Sequence, residues 1–476
     1  MLSNLGNGAM SPSAYDTAWV ARVPLPGDPS QPAFPQALEW LRMVQNSDGS
    51  WGTPVPYYYD RAVNTLAALI ALAQWKQGGD QDRLEYAHHF LASMSPPDDK
   101  VLDTTGFELI FPSLLWEATR LNYSLPQSQF QNVLNLREEK LRKLPLELIY
   151  CREATPVFSL EFLGENLDVQ RAYELQESNG SICNSPAATA FFATKTGDQR
   201  AYEYLNTVTT NGCTPFAMPV DIFERAWVLY NLDMAGLLNL PEARPHIQYL
   251  REAWTSTGVS FSRLLTLKDL DDTAVAFKLL HHAGIRVDLS VFAGYLSKSG
   301  QWFESYPFER NPSVSVNLHV MDALMSCDNT EETEEWISWV LTFVRQYKRG
   351  PLWYDKWHTS PHYTTAHAII IAGARAPDLI ADSVQWILKT QREDGSWGWW
   401  CPTAEETAYC LQALSTCHHR GWKINRSVMA RAATYLWQHL DEDYVPLWIG
   451  KVAFTPHHIV RSAIVSALHM YEEKVS

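Results

Sequence analysis

The octapeptide Gln45-Asn46-Ser47-Asp48-Gly49-Ser50-Trp51-Gly52 returns late in the chain as Gln391-Arg392-Glu393-Asp394-Gly395-Ser396-Trp397-Gly398. A shorter copy, Gln176-Glu177-Ser178-Asn179-Gly180-Ser181, lies between them and lacks the tryptophan. Each copy follows a stretch of helical apolar spacing and ends in Asp-Gly or Asn-Gly, a turn-forming pair. A helix-and-turn unit that recurs along a chain implies stacked helix pairs, because one unit cannot bury its apolar face alone. The sequence between the copies agrees. Arg61 to Leu72 and Ser185 to Phe192 carry apolar residues at helical spacing, and no alternating strand pattern is sustained over several segments. The reading is an all-α protein.

Composition narrows the class. At 476 residues the chain is too long for one ordinary core, so two large domains are expected. With 46% hydrophobic and 19% charged residues it is globular rather than disordered. A formal net charge of -15 argues against nucleic acid or an anionic membrane as partner, and means that an anionic substrate must be met by a local basic pocket. The 7 cysteines are odd in number and include no Cys-x-x-Cys pair, which fits reduced thiols in the cytoplasm. No apolar run is long enough for a transmembrane segment, and the N-terminus lacks a basic-then-apolar signal. The 19 tryptophans and 21 tyrosines are enough to fill cores and to line an aromatic cavity as well.

Chemistry is concentrated in Lys268-Asp269-Leu270-Asp271-Asp272-Thr273. Three carboxylates within four positions open a helical segment, Ala274 to Ala283, closed by Gly284. Asp269 can cap that helix, and Asp272 can favour its first turn. A second reading stands beside the capping one. Like charges this close cannot all ionise in a dry site, so one carboxyl stays protonated and can act as an acid toward a weak base. The helix dipole opposes that, so the acid reading requires a desolvated pocket.

The pattern Asp-x-Asp-Asp-Thr-Ala resembles the acid motif of class II terpene cyclases, which protonate an alkene or epoxide to start ring closure. Other stretches carry the same resemblance in the family's order. Ser13-Ala14-Tyr15-Asp16-Thr17-Ala18-Trp19-Val20-Ala21 resembles the first-helix signature of class II diterpene cyclases. Residues 106–115, 184–191 and 219–224 have equivalents in copalyl-diphosphate-type synthases. The repeated octapeptide is similar to the structural Gln-Trp motif of those enzymes, in which the glutamine ties helix ends and the tryptophan packs between turns. The resemblance covers almost the whole chain. It implies two α/α-barrel domains, β and γ: residues 1–24 as the first helix of β, 25–205 as an inserted γ domain, and 206–476 as the remainder of β with the acid motif.

The resemblance also implies roles. Asp271 is the expected general acid, supported by Asp269 and Asp272 and oriented by Asn317. Lys140 and Lys356 match lysines that hold the diphosphate, and Glu108 matches a Mg²⁺-associated glutamate. Trp302, Phe303, Trp353, Tyr354 and Trp357 follow the acid in sequence and are candidates for the aromatic faces that stabilise carbocations. No Asp-Asp-x-x-Asp ionisation motif is present, so the diphosphate is expected to stay on the product, open to a downstream terpene synthase. The sequence departs from plant ent-copalyl synthases where they bind the water that removes the final proton. Phe158 and Phe216 replace the His and Asn there, and neither ring accepts a proton. The expected reaction is cyclisation of geranylgeranyl diphosphate to a bicyclic C20 diphosphate of rearranged, kolavenyl or halimane type. Alternatives are a plain copalyl diphosphate synthase, or a drimenyl diphosphate synthase acting on farnesyl diphosphate. Two readings from other classes are a carbohydrate-active α/α barrel, whose paired carboxylates lie further apart than these, and a non-catalytic helical toroid exposing a large apolar patch.

Overall fold

The structure is a computed structural model and describes residues 1–75, 79–95, 97, 102–307 and 309–475. It is mostly helical. Among the described residues the strands form two short antiparallel hairpins, Pro24–Leu25 with Asp28–Pro32 and Trp448–Ile449 with Ala453–Phe454. Among the described residues no helix is long and apolar enough to cross a membrane, and all seven cysteines are free.

The buried side chains form two large cores. One is drawn from residues 14–220, joined by Leu265, Leu267 and Val452. The other is drawn from residues 222–468, joined by Leu5. Two cores are what a chain of this length needs, since a single one stops growing at roughly 250–300 residues. The division differs from the expected domain limits at both ends of the first unit. Helix Ala14–Ala21 was expected with the later residues but belongs to the earlier core. All eight of its residues are buried, so it needs neighbours on every side. Helices Pro35–Met43, Tyr58–Trp75 and Pro186–Thr196 supply them. Only the segment before it reaches the second core, where the Glu224 carboxylate accepts from the backbone N–H groups of Gly6, Gly8 and Ala9. The first core also runs past residue 205, through Val208 and Ala217 to Val220.

The repeats explain how the helix pairs stack. In all three copies the glutamine amide donates to the glycine carbonyl four residues on and to a second acceptor in a neighbouring helix. Gln45 reaches Gly49 and Arg83 at 2.9 and 3.1 Å, Gln391 reaches Gly395 and Val428 at 3.0 and 2.8 Å, and Gln176 reaches Gly180 and Asp198 at 3.0 and 2.7 Å. The glycine is obligatory. Gly49 and Gly395 have φ of +88° and +92°, and a Cβ would meet the carbonyl oxygens of Tyr86 and Arg431 at 2.7 and 2.5 Å. Each tryptophan is wholly buried and anchored twice. The Trp51 N–H meets Thr65 Oγ1 and its indole donates to Leu41 O, and Trp397 does the same with Thr407 and Ile387. In the short copy Ile182 stands in this place, its N–H on Thr189 Oγ1 at 2.9 Å.

A third tryptophan has the same geometry. Trp353 binds Thr365 Oγ1 through its N–H at 3.1 Å and Val344 O through its indole at 2.7 Å. The sequence reading placed Trp353 in a cavity. It is instead a core residue of this turn, unrecognised because the glutamine-to-tryptophan phrase around it is not repeated.

Candidate active site

A cavity of about 250 Å³ lies between the two cores and draws its walls from both. Of the fourteen residues singled out from the sequence for the site, nine line it: Glu108, Lys140, Phe158, Phe216, Asp269, Asp271, Asp272, Lys356 and Trp357. Trp302, Phe303, Asn317, Trp353 and Tyr354 do not.

The carboxylates stand at the start of helix Leu270–His282. Asp269 is the N-cap and accepts from the Asp272 N–H at 2.8 Å. This is the capping geometry expected of an acidic helix start. It leaves Asp269 Oδ2 buried and without a hydrogen-bond partner. Asp272 accepts from the Trp227 indole at 3.2 Å. Burial pushes the Asp269 carboxyl up to about 7, with the Asp271 charge adding to it; its bond from the Asp272 N–H opposes the rise. Asp272 is raised well above the usual carboxylate range by burial and by the charges of both neighbours. The helix start thus gathers carboxyls that favour the proton-bearing form. Asp271 is the most accessible of the three, its side chain 19% exposed against 4% for each whole neighbour.

Asp271 has a partner that the sequence reading missed. His319 Nδ1 shares a 2.6 Å hydrogen bond with Asp271 Oδ1, and His319 Nε2 shares one of 2.8 Å with His367 Nδ1. Burial, then the charges of His319, His358 and Lys278, holds His367 well below the usual imidazole range, so it is neutral near pH 7. The Asn317 side chain, expected to orient Asp271, is wholly engaged elsewhere. It accepts from the Phe303 N–H and donates to the carbonyls of Phe303 and Ser313, all within 2.9 Å. The segment Val316-Asn317-Leu318-His319 was the right one. Two residues on a helix differ by about 200° in direction, so only one of Asn317 and His319 can face the acid.

The aromatic wall also differs from expectation. Trp302 stacks on Phe343 at 5.9 Å and Tyr354 meets the edge of Trp399 at 6.2 Å, both away from the cavity. Phe223, Trp227, Phe261, Tyr306, Trp448 and Phe454 line it instead. Phe158 and Phe216 meet edge to face at 6.3 Å, and Phe216 packs on Phe454 at 4.2 Å. Trp227 links this wall to the acid, its ring 4.9 Å from that of His319. Nearness in sequence to Asp271 was the only signal used, and these rings come from segments spread over most of the chain.

Charged residues form the remaining wall as cation–carboxylate pairs. Lys140 lies 3.8 Å from Glu108, Lys356 pairs with Glu309, and Arg310 pairs with Asp103. Arg310, Glu309 and Asp103 carried no signal in the sequence. Among the described residues no three His, Cys, Asp or Glu side chains gather in a metal-binding group. Glu108 suits a more modest role. It lines the cavity and lies 3.8 Å from Lys140.

Residues 308–438 match the family model of the squalene-hopene cyclase C-terminal domain. The chain is 37% identical to a type B diterpene cyclase of Mycobacterium tuberculosis over 498 aligned positions, covering 98% of this chain and 97% of that one. It superposes on the ent-copalyl diphosphate synthase of Streptomyces platensis with a TM-score of 0.82 at 27% identity, covering 97% and 96% of the two chains. The ent-copalyl diphosphate synthase of Arabidopsis thaliana, solved with an aza-analogue of geranylgeranyl diphosphate, gives 0.74 at 25% identity, covering 98% of this chain and 61% of that one. Full-length identity at this level, on a matching fold, makes the chain a member of the class II diterpene cyclases.

Proposed function

We propose that this cyclase converts geranylgeranyl diphosphate into a bicyclic C20 diphosphate, with Asp271 as the general acid. The observation that carries the reading is a single cavity that brings together the three carboxyls of the helix start, a wall of aromatic rings and three cationic side chains paired with carboxylates. An alkene is a very weak base, so its protonation needs an acid that is neutral at rest and whose conjugate base is stabilised as it forms. Buried Asp269 and Asp272 favour their proton-bearing forms beside Asp271, and His319 is placed to hydrogen-bond the Asp271 carboxylate as it forms. Transfer of the Asp271 proton to the terminal alkene leaves a tertiary cation, which the next alkene captures, and a second capture closes the second ring. Phe223, Trp227, Trp448 and Phe454 offer π faces that steady these cations without a lone pair to trap them.

Lys140, Arg310 and Lys356 would meet the diphosphate, exchanging their carboxylate partners for phosphate oxygens. Mg²⁺ would be held by Glu108 together with diphosphate oxygens and water, the usual manner for this small hard cation. When bound it neutralises diphosphate charge. The diphosphate stays on the product.

Phe158 and Phe216 cannot accept a proton, so the bicyclic cation persists long enough for hydride and methyl shifts before another group removes a proton and forms the product alkene, giving a rearranged skeleton of kolavenyl or halimane type. The test is incubation with geranylgeranyl and farnesyl diphosphates, phosphatase treatment, and identification of products by mass spectrometry and NMR. A cyclised C20 alcohol of rearranged skeleton is the expected result. Inorganic diphosphate released in step with substrate loss would contradict the mechanism, plain copalol would contradict the rearrangement, and a C15 product alone would contradict the substrate.

A further inference from the structure

The hairpin Trp448–Ile449 and Ala453–Phe454 leaves the second core and enters the first. Its tip is held from three directions by the earlier half of the chain. The Thr105 N–H donates to Gly450 O at 2.8 Å. The Ala453 N–H donates to Asp60 Oδ1 at 2.6 Å. The Lys451 ammonium, wholly buried, donates to Glu161 Oε1 at 2.6 Å and to Ser185 Oγ at 2.7 Å. The Tyr15 hydroxyl donates to the same Glu161 oxygen at 2.7 Å. A buried ammonium–carboxylate pair holds its geometry tightly, because either partner left alone would be an uncompensated charge.

These anchors lie against the two phenylalanines of the cavity. Glu161 is on the same short helical stretch as Phe158, Thr155–Asn166, and Lys451 Nζ sits 4.7 Å from the centre of the Phe158 ring. Gly450 faces Phe216. A Cβ at Gly450 would lie 2.6 Å from Phe216 Cε2 and 2.8 Å from Cδ2. The backbone there is outside the left-handed region, so a side chain is excluded by the ring alone. Phe216 also packs on Phe454 at 4.2 Å and on Phe158 at 6.3 Å, and it lines the cavity.

We propose that this hairpin is a product-determining element of the cyclase, in which Gly450 sets how far Phe216 stands into the cavity and the Lys451–Glu161 pair holds Gly450 at that depth. Gly450 and Lys451 are positioning residues, acting through Phe216 and Phe158. The inference rests on the proposed part of those two rings in the fate of the cation.

The experiment is a double-mutant cycle read in product ratios, which a merely structural role would not move in a Phe216-dependent way. Purified wild type, Gly450→Ala, Phe216→Ala and the double variant are incubated with geranylgeranyl diphosphate. Gly450→Ala is expected to change the ratio of rearranged to unrearranged diphosphates by several-fold. The double variant is expected to give the same ratio as Phe216→Ala alone. An unchanged ratio in Gly450→Ala, or a shift of equal size in the Phe216→Ala background, overturns the inference while leaving the role of the phenylalanines standing. If Phe216→Ala itself leaves the ratio unchanged, both fall. If Gly450→Ala is insoluble alone, recovery of soluble enzyme in the double variant shows that the ring is what the Cβ meets, and failure in both overturns it.

Discussion

The cavity has two unlike regions, one built from protons and one built to lack them. Around Asp271 the side chains are polar and connected: Asp269 caps the helix, Trp227 donates to Asp272, and His319 joins Asp271 to His367. Around Phe158 and Phe216 the contacts are ring against ring, with Phe261 and Phe454 completing the patch. A charge beside Phe158, Lys451, is spent on Glu161. A site that gives a proton readily and takes one back reluctantly prolongs the cation between those events. On the proposed reaction, the acid region governs rate and the phenylalanine region governs product.

The sharpest way to break that contrast is at Asp271. Asp271→Asn is expected to lower kcat by at least about 10³-fold, near the upper part of what a general acid contributes and with no second cavity carboxyl equally accessible. A thermal melt should show the fold intact. Near-native turnover in the folded variant would sink the assignment.

Next comes Asp269, whose carboxyl is raised to about 7 by burial and by Asp271. The folded chain holds this proton more tightly than the unfolded one does. Its contribution to stability is therefore full below about pH 4 and is lost as pH rises through about 7. Asp269→Asn keeps the cap but cannot ionise. The melting temperature of the variant relative to wild type should accordingly rise between pH 5 and pH 8. A flat difference across that range would show that Asp269 is not protonated in the folded chain.

His319→Phe is expected to lower kcat by roughly 10–100-fold, the scale of losing a hydrogen bond to a charge that forms in the transition state. Asn317→Asp should act through the Phe303 turn, lowering melting temperature more than the turnover of the folded fraction. The opposite pattern would restore Asn317 as the group that orients the acid.

The smallest effect on rate, and the largest on product, is expected at Phe158. Phe158→His, alone or with Phe216→Asn, should hold total turnover within about tenfold while moving product toward the unrearranged copalyl skeleton, as gas chromatography of the dephosphorylated products would show. A large loss of turnover with no change of skeleton would place these rings with the acid region and erase the contrast.

Local signals were legible and global directions were not. The repeat gave away the helix pairs, because glutamine, glycine and tryptophan each make their contacts within or beside one turn. The carboxylate cluster was legible for the same reason. Its cap, Asp269 to Asp272, spans three residues. Trp353 shows the limit: it makes the contacts of the repeat without the repeat's phrase, and so was mistaken for a cavity residue.

What the sequence by itself determined is therefore whatever a few neighbouring residues decide: helices from apolar period, turns from glycine, an acid-rich helix start, and a family resemblance carried by short motifs. The tertiary structure alone decided which face of a helix meets which partner. His319 and Asp271 are 48 residues apart, Arg310 and Asp103 are 207 apart, and Lys451 and Glu161 are 290 apart. No local pattern marks such pairs, because each forms only after segments distant in the chain have packed and brought the two side chains within reach. Helix Ala14–Ala21 changed its expected company on the same grounds. Its own residues require burial on all sides, and which helices provide it depends on how the rest of the chain folds around them.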